Sequence, residues 1–339
     1  MYQRLRPLIF RSDPEQAHIL TINLLRLADT LPPVRAALRR YFQPSRSQPV
    51  QAFGLSFRNP IGLAAGYDKD GLAWRGLAAL GFGHIEVGTV TPLPQAGNPK
   101  PRLFRLPEEA GLINRLGFPG RGAEFVAERL SGRRPDGLFL GVNLGKNKDT
   151  LLEDAAQDYL LLVEKFAPLA DYLAINVSSP NTVGLRRLQA RAALEALLTA
   201  LAERRNALQI QLGSPLPLLV KLSPDLDSTE LDDALTVILD QGMDGVIATN
   251  TTLARDGLIS AHAREAGGLS GAPIRARSKA MVAEIHRRTA GKLPIIGVGG
   301  VMDAAGAREM LQAGAKLVQI YTGLVYAGPG LVKTILDGL

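Results

Sequence analysis

The chain has 339 residues, 46% of them hydrophobic and 21% charged, enough to bury the core of one large α/β barrel with an appendage. It contains no cysteine, which excludes disulfides, thiolate zinc sites, iron–sulfur clusters and cysteine nucleophiles. The net charge of +7 comes without any Lys/Arg run interleaved with aromatics, which make up 5% of the chain, so nucleic acid is not an expected partner.

Much of the basicity lies at the N-terminus. Residues 1–50 hold Arg4, Arg6, Arg11, Arg26, Arg35, Arg39, Arg40 and Arg46 against Asp13, Glu15 and Asp29; eight cations less three anions leave +5. The opening MYQRLRPLIFRSDPE has no apolar stretch long enough for a signal peptide. No run anywhere reaches the roughly 18 apolar residues of a spanning helix. The expected location is the cytoplasmic side of the cell membrane, at its periphery. Ser12, Pro14 and Glu15 read as a capping box that opens a helix, whose apolar face carries Ala17, Ile19, Leu20, Leu24, Leu27 and Ala28 before Asp29–Pro33 ends it. A second helix, Val34 to Phe42, sets Val34, Leu38, Tyr41 and Phe42 beside Arg35, Arg39 and Arg40. Such a pair forms a hairpin. It either packs over one end of the main domain or acts as an interfacial anchor, with arginines toward anionic headgroups and the apolar stripe in the acyl boundary. The second reading is preferred, making 1–45 a membrane-associating segment and 46–339 the main domain.

From about residue 55, short apolar runs alternate with amphipathic stretches of helix length. The runs are NPIGLAAG (59–66), HIEVGTV (84–90), LFLGVNL (138–144), DYLAINV (171–177), PLLVKL (217–222), DGVIATN (244–250), LPIIGVG (293–299) and AKLVQIYT (315–322). Runs apolar at nearly every position are strands buried on both faces, and helices between them impose parallel crossovers. The expected fold is α/β: a (β/α)8 TIM barrel with a small N-terminal helical extension. A doubly wound open sheet is the alternative, disfavoured because no GxGxxG follows the first strand of a βαβ unit. Residues 91–137 and 251–273 are long connections, expected to lie over the barrel mouth.

In this architecture the strand ends carry the chemistry. They supply Ala65, Gly66 and Lys69, then Thr89, Asn143, Asn176, Lys221, Thr249 and Asn250, Gly299 and Gly300, and Tyr321 and Thr322. Amides, hydroxyls and two lysines suit a planar, polar, anionic ligand. None of the four histidines (His18, His84, His262, His286) ends a strand and no carboxylate cluster replaces them, so no metal site and no Ser–His–Asp relay is expected. GVGG after the seventh run and YTGL after the eighth suit a phosphate; ordinary turns explain either alone. NVSSPNTVGLRRLQ (176–189) is the densest stretch, with two serines and a proline between asparagines.

AAGYDKDG, VGTVTP, NPKPRLFRL, NRLGF, GVNLGKNKDT, NVSSPNT, VKLSPD, ATNTT, GGLSG, GVGGV and QIYTGL, in this order, resemble the quinone-dependent class of the dihydroorotate dehydrogenase family. The resemblance runs from about residue 5 to the C-terminus. The soluble class of that family uses a cysteine base; here Ser179 stands at the matching position. The resemblance implies an FMN enzyme that oxidises dihydroorotate to orotate in de novo pyrimidine biosynthesis and passes the electrons to a membrane quinone. Ala65, Gly66, Lys69, Thr89, Asn143, Asn176, Lys221, Thr249, Gly271, Gly300, Tyr321 and Thr322 are similar to FMN-binding positions. Lys69, Asn114, Arg115, Leu116, Gly117, Phe118, Asn176, Asn181, Asn250 and Thr251 are similar to substrate-holding positions, Leu116 through its backbone only. Ser179 is the implied catalytic base, taking a proton from carbon 5 as hydride leaves carbon 6 for the flavin. The quinone is expected to enter between the N-terminal helices, past His18, Arg102 and Tyr321.

Two rival readings keep some of these residues. A barrel aldolase would use Lys221 as a Schiff base, but has no use for the asparagines or NVSSPNT. A membrane-binding module with an inert barrel explains only the first fifty residues.

Overall fold

The computed structural model describes residues 2–45, 48–182 and 184–339; Arg46 and Val183, both part of the sequence reading, lie outside them. The chain opens with three helices, α1 (Tyr2–Ile9), α2 (Pro14–Thr30) and α3 (Pro32–Phe42), where the sequence suggested two. α1 escapes a pattern search because it contains Pro7, and proline reads as a helix breaker. The cap of α2 is Asp13 rather than Ser12. The Asp13 carboxylate accepts the Gln16 N–H at 2.9 Å, while Ser12 Oγ donates to Ile9 O at 2.7 Å and closes α1. Glu15, expected in the capping box, instead pairs with Arg102 at 2.7 Å. α3 starts two residues earlier than expected because Pro32 and Pro33 occupy its first positions, where a missing N–H costs nothing.

The strands are β1 (Val50–Ala52), β2 (Leu55–Phe57), β3 (Ile61–Leu63), β4 (His84–Val90), β5 (Leu103–Leu106), β6 (Gly111–Asn114) and β7 (Phe139–Leu144). They continue with β8 (Tyr172–Asn176), β9 (Leu218–Leu222), β10 (Gly245–Ala248), β11 (Gly268–Gly271), β12 (Ile295–Val298) and β13 (Leu317–Ile320). Eight of them close a parallel barrel in the order β10-β12-β13-β3-β4-β7-β8-β9, and these eight are the apolar runs of the sequence. The two long connections meet: β5 and β6 come from 91–137, β11 from 251–273, and they form one antiparallel sheet, β11-β6-β5. The β1–β2 hairpin, which the sequence reading passed over, drives Phe53 and Phe57 into the barrel's apolar interior beside Tyr172, Leu219 and Ile247.

Period-two alternation sorts each barrel strand. On β8, Leu173 and Ile175 face the helices, whereas Tyr172 and Ala174 face inward. The same alternation on the other strands turns Glu86, Asn143, Lys221, Thr249 and Gln319 into the lumen. Room is made by glycine: a Cβ on Gly141 would lie 2.2 Å from the Tyr172 ring.

The helical extension is packed onto the barrel. α2 crosses α4 (Trp74–Ala78) so closely that a Cβ on Gly76 would sit 2.2 Å from Leu25 O. Ile22 and Ala28 are buried there, and Ile22 alone contributes on the order of 2 kcal/mol. Among the described residues no helix is long and apolar enough to cross a membrane.

Candidate active site

Two cavities lie at the strand ends, one on each side of Tyr321. The first, the more polar of the two, lies over the barrel mouth; Thr89, Asn176, Lys221, Thr249 and Gly300 border it from the barrel, and Asn114, Gly117 and Phe118 from the first long connection. Of the residues singled out in the sequence, Ala65, Gly66, Lys69, Leu116, Ser179, Asn181, Asn250, Thr251, Gly271, Gly299 and Thr322 also line it.

Two residues expected at the flavin or the substrate do not. Asn143 is fully buried one layer below, where its Oδ1 accepts the Thr89 hydroxyl at 2.5 Å and its Nδ2 donates to Glu86 at 2.7 Å. Arg115 points away: its guanidinium pairs with Glu265 at 2.7 Å and stacks on Phe104, 4.6 Å from the ring centroid. A charged side chain with a carboxylate and an aromatic face to hand has no reason to enter the cavity.

Ser179 stands in the loop after β8, 4% exposed, and its Oγ accepts the Asn181 N–H at 3.2 Å. None of the four histidines lines the cavity, so no imidazole stands ready to take its proton. Asn181 Nδ2 donates to Asn114 Oδ1 at 3.1 Å, and Asn250 Nδ2 donates to Ser178 Oγ at 3.0 Å. The loop is thereby tied to both neighbouring walls.

Two cations reach the polar cavity. Lys221 lies with its ammonium 3.9 Å from Glu86 Oε1, outside hydrogen-bond range; burial lowers its pKa and Glu86 opposes the fall. Lys69 donates to Gly66 O at 2.7 Å. Burial depresses its pKa to about 8 against the pull of Asp70, Glu15 and Asp68.

The second cavity lies beneath the N-terminal helices. Its lining is almost wholly apolar: Ala17, Leu24, Leu27, Leu31, Val34 and Leu38 come from α2, α3 and the turn between them. Leu103, Leu112 and Tyr321 line both cavities. His18 and Tyr321, two of the three residues expected along a quinone entry, are among those lining this cavity. Arg102 is not; it pairs with Glu15 and donates to Ala96 O and Asn98 O, and Arg105 lines the space instead. His18 meets Tyr67 edge-on at 5.0 Å, and Tyr67 meets Tyr321 at 5.4 Å. This aromatic file runs from one cavity to the other. Burial, reinforced by Lys69, lowers the His18 pKa to about 3 and keeps the imidazole neutral.

Sequence reasoning missed Glu86, buried below the polar cavity, and Gln319, a buried residue at the cavity's lining. The signal was present: a carboxylate inside a strand apolar on both faces is rare unless paired.

The family model for dihydroorotate dehydrogenase matches residues 48–339. The chain belongs to the dihydroorotate dehydrogenase family. It is 51% identical, over 100% of its length and 92% of the relative's, to the dihydroorotate dehydrogenase (quinone) of Anaeromyxobacter sp.. It is 52% identical, over 98% and 96%, to that of Leptothrix cholodnii. Among solved structures, the Eimeria tenella dihydroorotate dehydrogenase in complex with ferulenol superposes with a TM-score of 0.86 at 38% identity, covering 96% of this chain and 90% of that one. Its ligand-free form gives 0.87 at 39%, over 96% and 94%. The family is flavin-dependent, and its members are oxidoreductases of pyrimidine biosynthesis.

Proposed function

We propose that this chain oxidises dihydroorotate to orotate on bound FMN in the polar cavity, and that a membrane quinone reaches the reduced flavin through the apolar one. The observation that carries the reading is the meeting of the two cavities at Tyr321, one lined by amides, hydroxyls and two lysines, the other by leucines. A substrate that is a carboxylated, hydrogen-bonding ring suits the first; a long apolar acceptor suits the second.

FMN fits the donor set. Lys221 offers a buried cation, Thr89, Asn176 and Thr249 offer hydrogen bonds, and the Gly299–Gly300 turn, with φ of 118° and 73°, presents backbone where a side chain would be strained. Ala65, Gly66, Lys69, Gly271, Tyr321 and Thr322 complete the enclosure, with Asn143 acting from below. FMN held by these residues would supply the acceptor for the hydride from carbon 6 and a carrier of electrons on to the quinone.

The chain's own residues do the rest. Lys69 pairs with the substrate carboxylate, and Asn114, Asn181, Asn250, Thr251 and the Leu116–Gly117–Phe118 segment grip the ring. Ser179 Oγ takes the proton from carbon 5 as its own hydroxyl proton leaves to water. A hydroxyl of ordinary high pKa does so only in a closed, oriented site, which the burial of Ser179 supports. Arg115 contributes through its backbone and through the Glu265 pair rather than by touching substrate. At the far wall, neutral His18 offers a hydrogen bond to a quinone carbonyl.

Residues 1–45 form the membrane-associating segment and 46–339 the catalytic barrel in this reading. Leu8, Ile19, Leu20 and Tyr41 are exposed without lining the cavity, and Leu24, Leu27 and Leu31 are exposed at its edge. Arg4, Arg11, Arg26, Arg39 and Arg40 are exposed too, so an apolar face with a basic margin meets the cytoplasmic surface of an anionic membrane.

The test is direct. Anaerobic dihydroorotate should bleach the flavin of purified protein, and a quinone should restore the colour. A colourless preparation that takes up no FMN sinks the proposal. A barrel aldolase acting through Lys221 would instead be trapped by borohydride with a carbonyl substrate.

A further inference from the structure

Glu86 lines neither cavity, yet it anchors the polar wall of the first. It is fully buried. Its Oε1 accepts Asn143 Nδ2 at 2.7 Å and stands 3.9 Å from the Lys221 ammonium. Its Oε2 accepts Gln319 Nε2 at 2.8 Å and the Tyr172 hydroxyl at 3.2 Å. The second link of the chain is equally defined. Asn143 Oδ1 accepts the Thr89 hydroxyl at 2.5 Å and Asn176 Nδ2 at 3.0 Å. Asn176 Nδ2 also donates to Thr89 Oγ1 at 3.0 Å, and its Oδ1 accepts the Ser178 hydroxyl at 3.1 Å and Asn250 Nδ2 at 3.4 Å.

An amide can be turned end for end, and a hydroxyl can donate either way; a carboxylate can only accept. The direction of every bond in this network therefore follows from one residue. Because Glu86 must receive a hydrogen, Asn143 presents its NH2 downward and its oxygen upward. That oxygen takes the Thr89 hydrogen, so Thr89 meets the cavity with a lone pair. It also takes the Asn176 NH2, which leaves the Asn176 oxygen to receive Asn250 and Ser178.

We propose that Glu86 is the positioning residue that sets the donor and acceptor pattern of the cavity wall, so that the ligand atom opposite Thr89 must be a donor such as the N–H of a uracil-like ring. The inference rests on the FMN and dihydroorotate reading for the identity of the ligands, but not for the direction of the network. A second consequence is that Glu86 holds the countercharge of Lys221 below the ligand plane, leaving the cation's open side to an electron-rich ring.

Glu86→Gln keeps the volume and replaces one acceptor oxygen by a donor. The NH2 must then face either Asn143, which would reverse the links above it, or the Gln319–Tyr172 pair, both of which would have to turn over to accept it. FMN and orotate affinities of the Glu86→Gln protein, measured by flavin fluorescence and by orotate-induced spectral shift, should each fall at least about tenfold, the usual scale for losing a hydrogen bond to a charged group in a buried site. The double variant Glu86→Gln, Gln319→Glu moves the carboxylate across one hydrogen bond. The new amide at position 86 then donates to the new carboxylate at position 319, and its oxygen again receives the Asn143 NH2. This variant should recover most of the loss. Failure to recover overturns the directional assignment. Affinities within twofold of wild type in the single variant, with only a lower melting temperature in flavin-free and flavin-loaded protein alike, would make Glu86 an ordinary core residue. Should Glu86→Gln not yield folded protein, Asn143→Ala cuts the network one link higher and must weaken orotate similarly; unchanged affinity there overturns the proposal. Wild-type protein that binds no FMN would instead refute the functional reading, a result distinct from equal binding by wild type and variant.

Discussion

The two cavities that share Tyr321 are built by different means. The polar one is assembled from strand ends of a closed barrel, so its side chains are held by a ladder of parallel pairs and by the network below them. The apolar one is roofed by α2 and α3, whose leucines touch few partners and remain partly exposed. Chemistry that needs a proton and a hydride removed together from fixed atoms belongs in the rigid chamber. Admission of a long, featureless chain belongs in the looser one. The aromatic file His18–Tyr67–Tyr321 runs along the apolar chamber to the wall shared with the polar one.

That contrast is broken most sharply at Ser179. Ser179→Ala should slow flavin reduction by dihydroorotate at least about a hundredfold, the usual scale for losing a general base, with FMN still bound. Reoxidation by quinone should be unchanged, since Ser179 lines only the polar cavity. Stopped-flow traces of the two half-reactions decide; an unaltered reduction rate removes Ser179 from the mechanism. Filling the other chamber should give the mirror image. Ala17 lines the apolar cavity and not the polar one, so Ala17→Phe should slow reoxidation by a long-chain quinone roughly tenfold, as overpacking by one side chain costs about 1–3 kcal/mol. Reduction by dihydroorotate should stay as in wild type, and equal slowing of both halves would dissolve the division.

A smaller effect concerns pH. Burial, the dominant influence, leaves Lys69 with a pKa of about 8, and a cation is present below its pKa and lost above it. Orotate affinity should therefore be flat up to about pH 8 and then decline by up to about tenfold per pH unit. Lys69→Arg, which stays charged, should flatten the decline even if its larger head weakens binding throughout. A wild-type curve flat to about pH 10 would show that Lys69 does not bear the ligand's charge.

The barrel side of the polar cavity was legible in the sequence because its side chains there close apolar runs, and in a barrel those ends converge by geometry. Arg115 and Arg102 illustrate where that logic ends. Both sit beside cavity residues along the chain, but their direction is decided by Glu265 and Glu15, acids brought near only by the fold. Glu86 and Gln319 were passed over for the opposite reason: each is a polar letter within an apolar run, a signal that something pairs with it, but its partner depends on which way the strand faces. The joining of the two long connections into the β11-β6-β5 sheet had no local signal, since β11, the second partner of Gly111–Asn114 beside neighbouring β5, lies more than a hundred residues away. The apolar cavity was hardest to read, because a helix face lining a void has the same pattern as one packed on a core.

The weakest expected effect tests what the exposed side of the roof is for. Leu20 is 60% exposed on α2 and does not line the apolar cavity, so it serves neither the fold nor the passage. An exposed leucine on a monomer is unremarkable alone. Here Leu5, Leu8, Ile19, Leu24, Leu27, Leu31 and Tyr41 are exposed on the same three helices and their turns, with five exposed arginines beside them, and the second cavity opens among those leucines. Leu20→Glu removes apolar area and adds a charge that anionic headgroups repel. It should weaken binding to vesicles of mixed neutral and anionic lipid about fivefold, on the scale of roughly 1 kcal/mol per charge near such a surface. Turnover with a short, water-soluble quinone should be that of wild type, while turnover with a long-chain quinone in the vesicles should fall in step with binding. If vesicle binding is unaffected, the exposed leucines are not the membrane face and the roof serves only the passage.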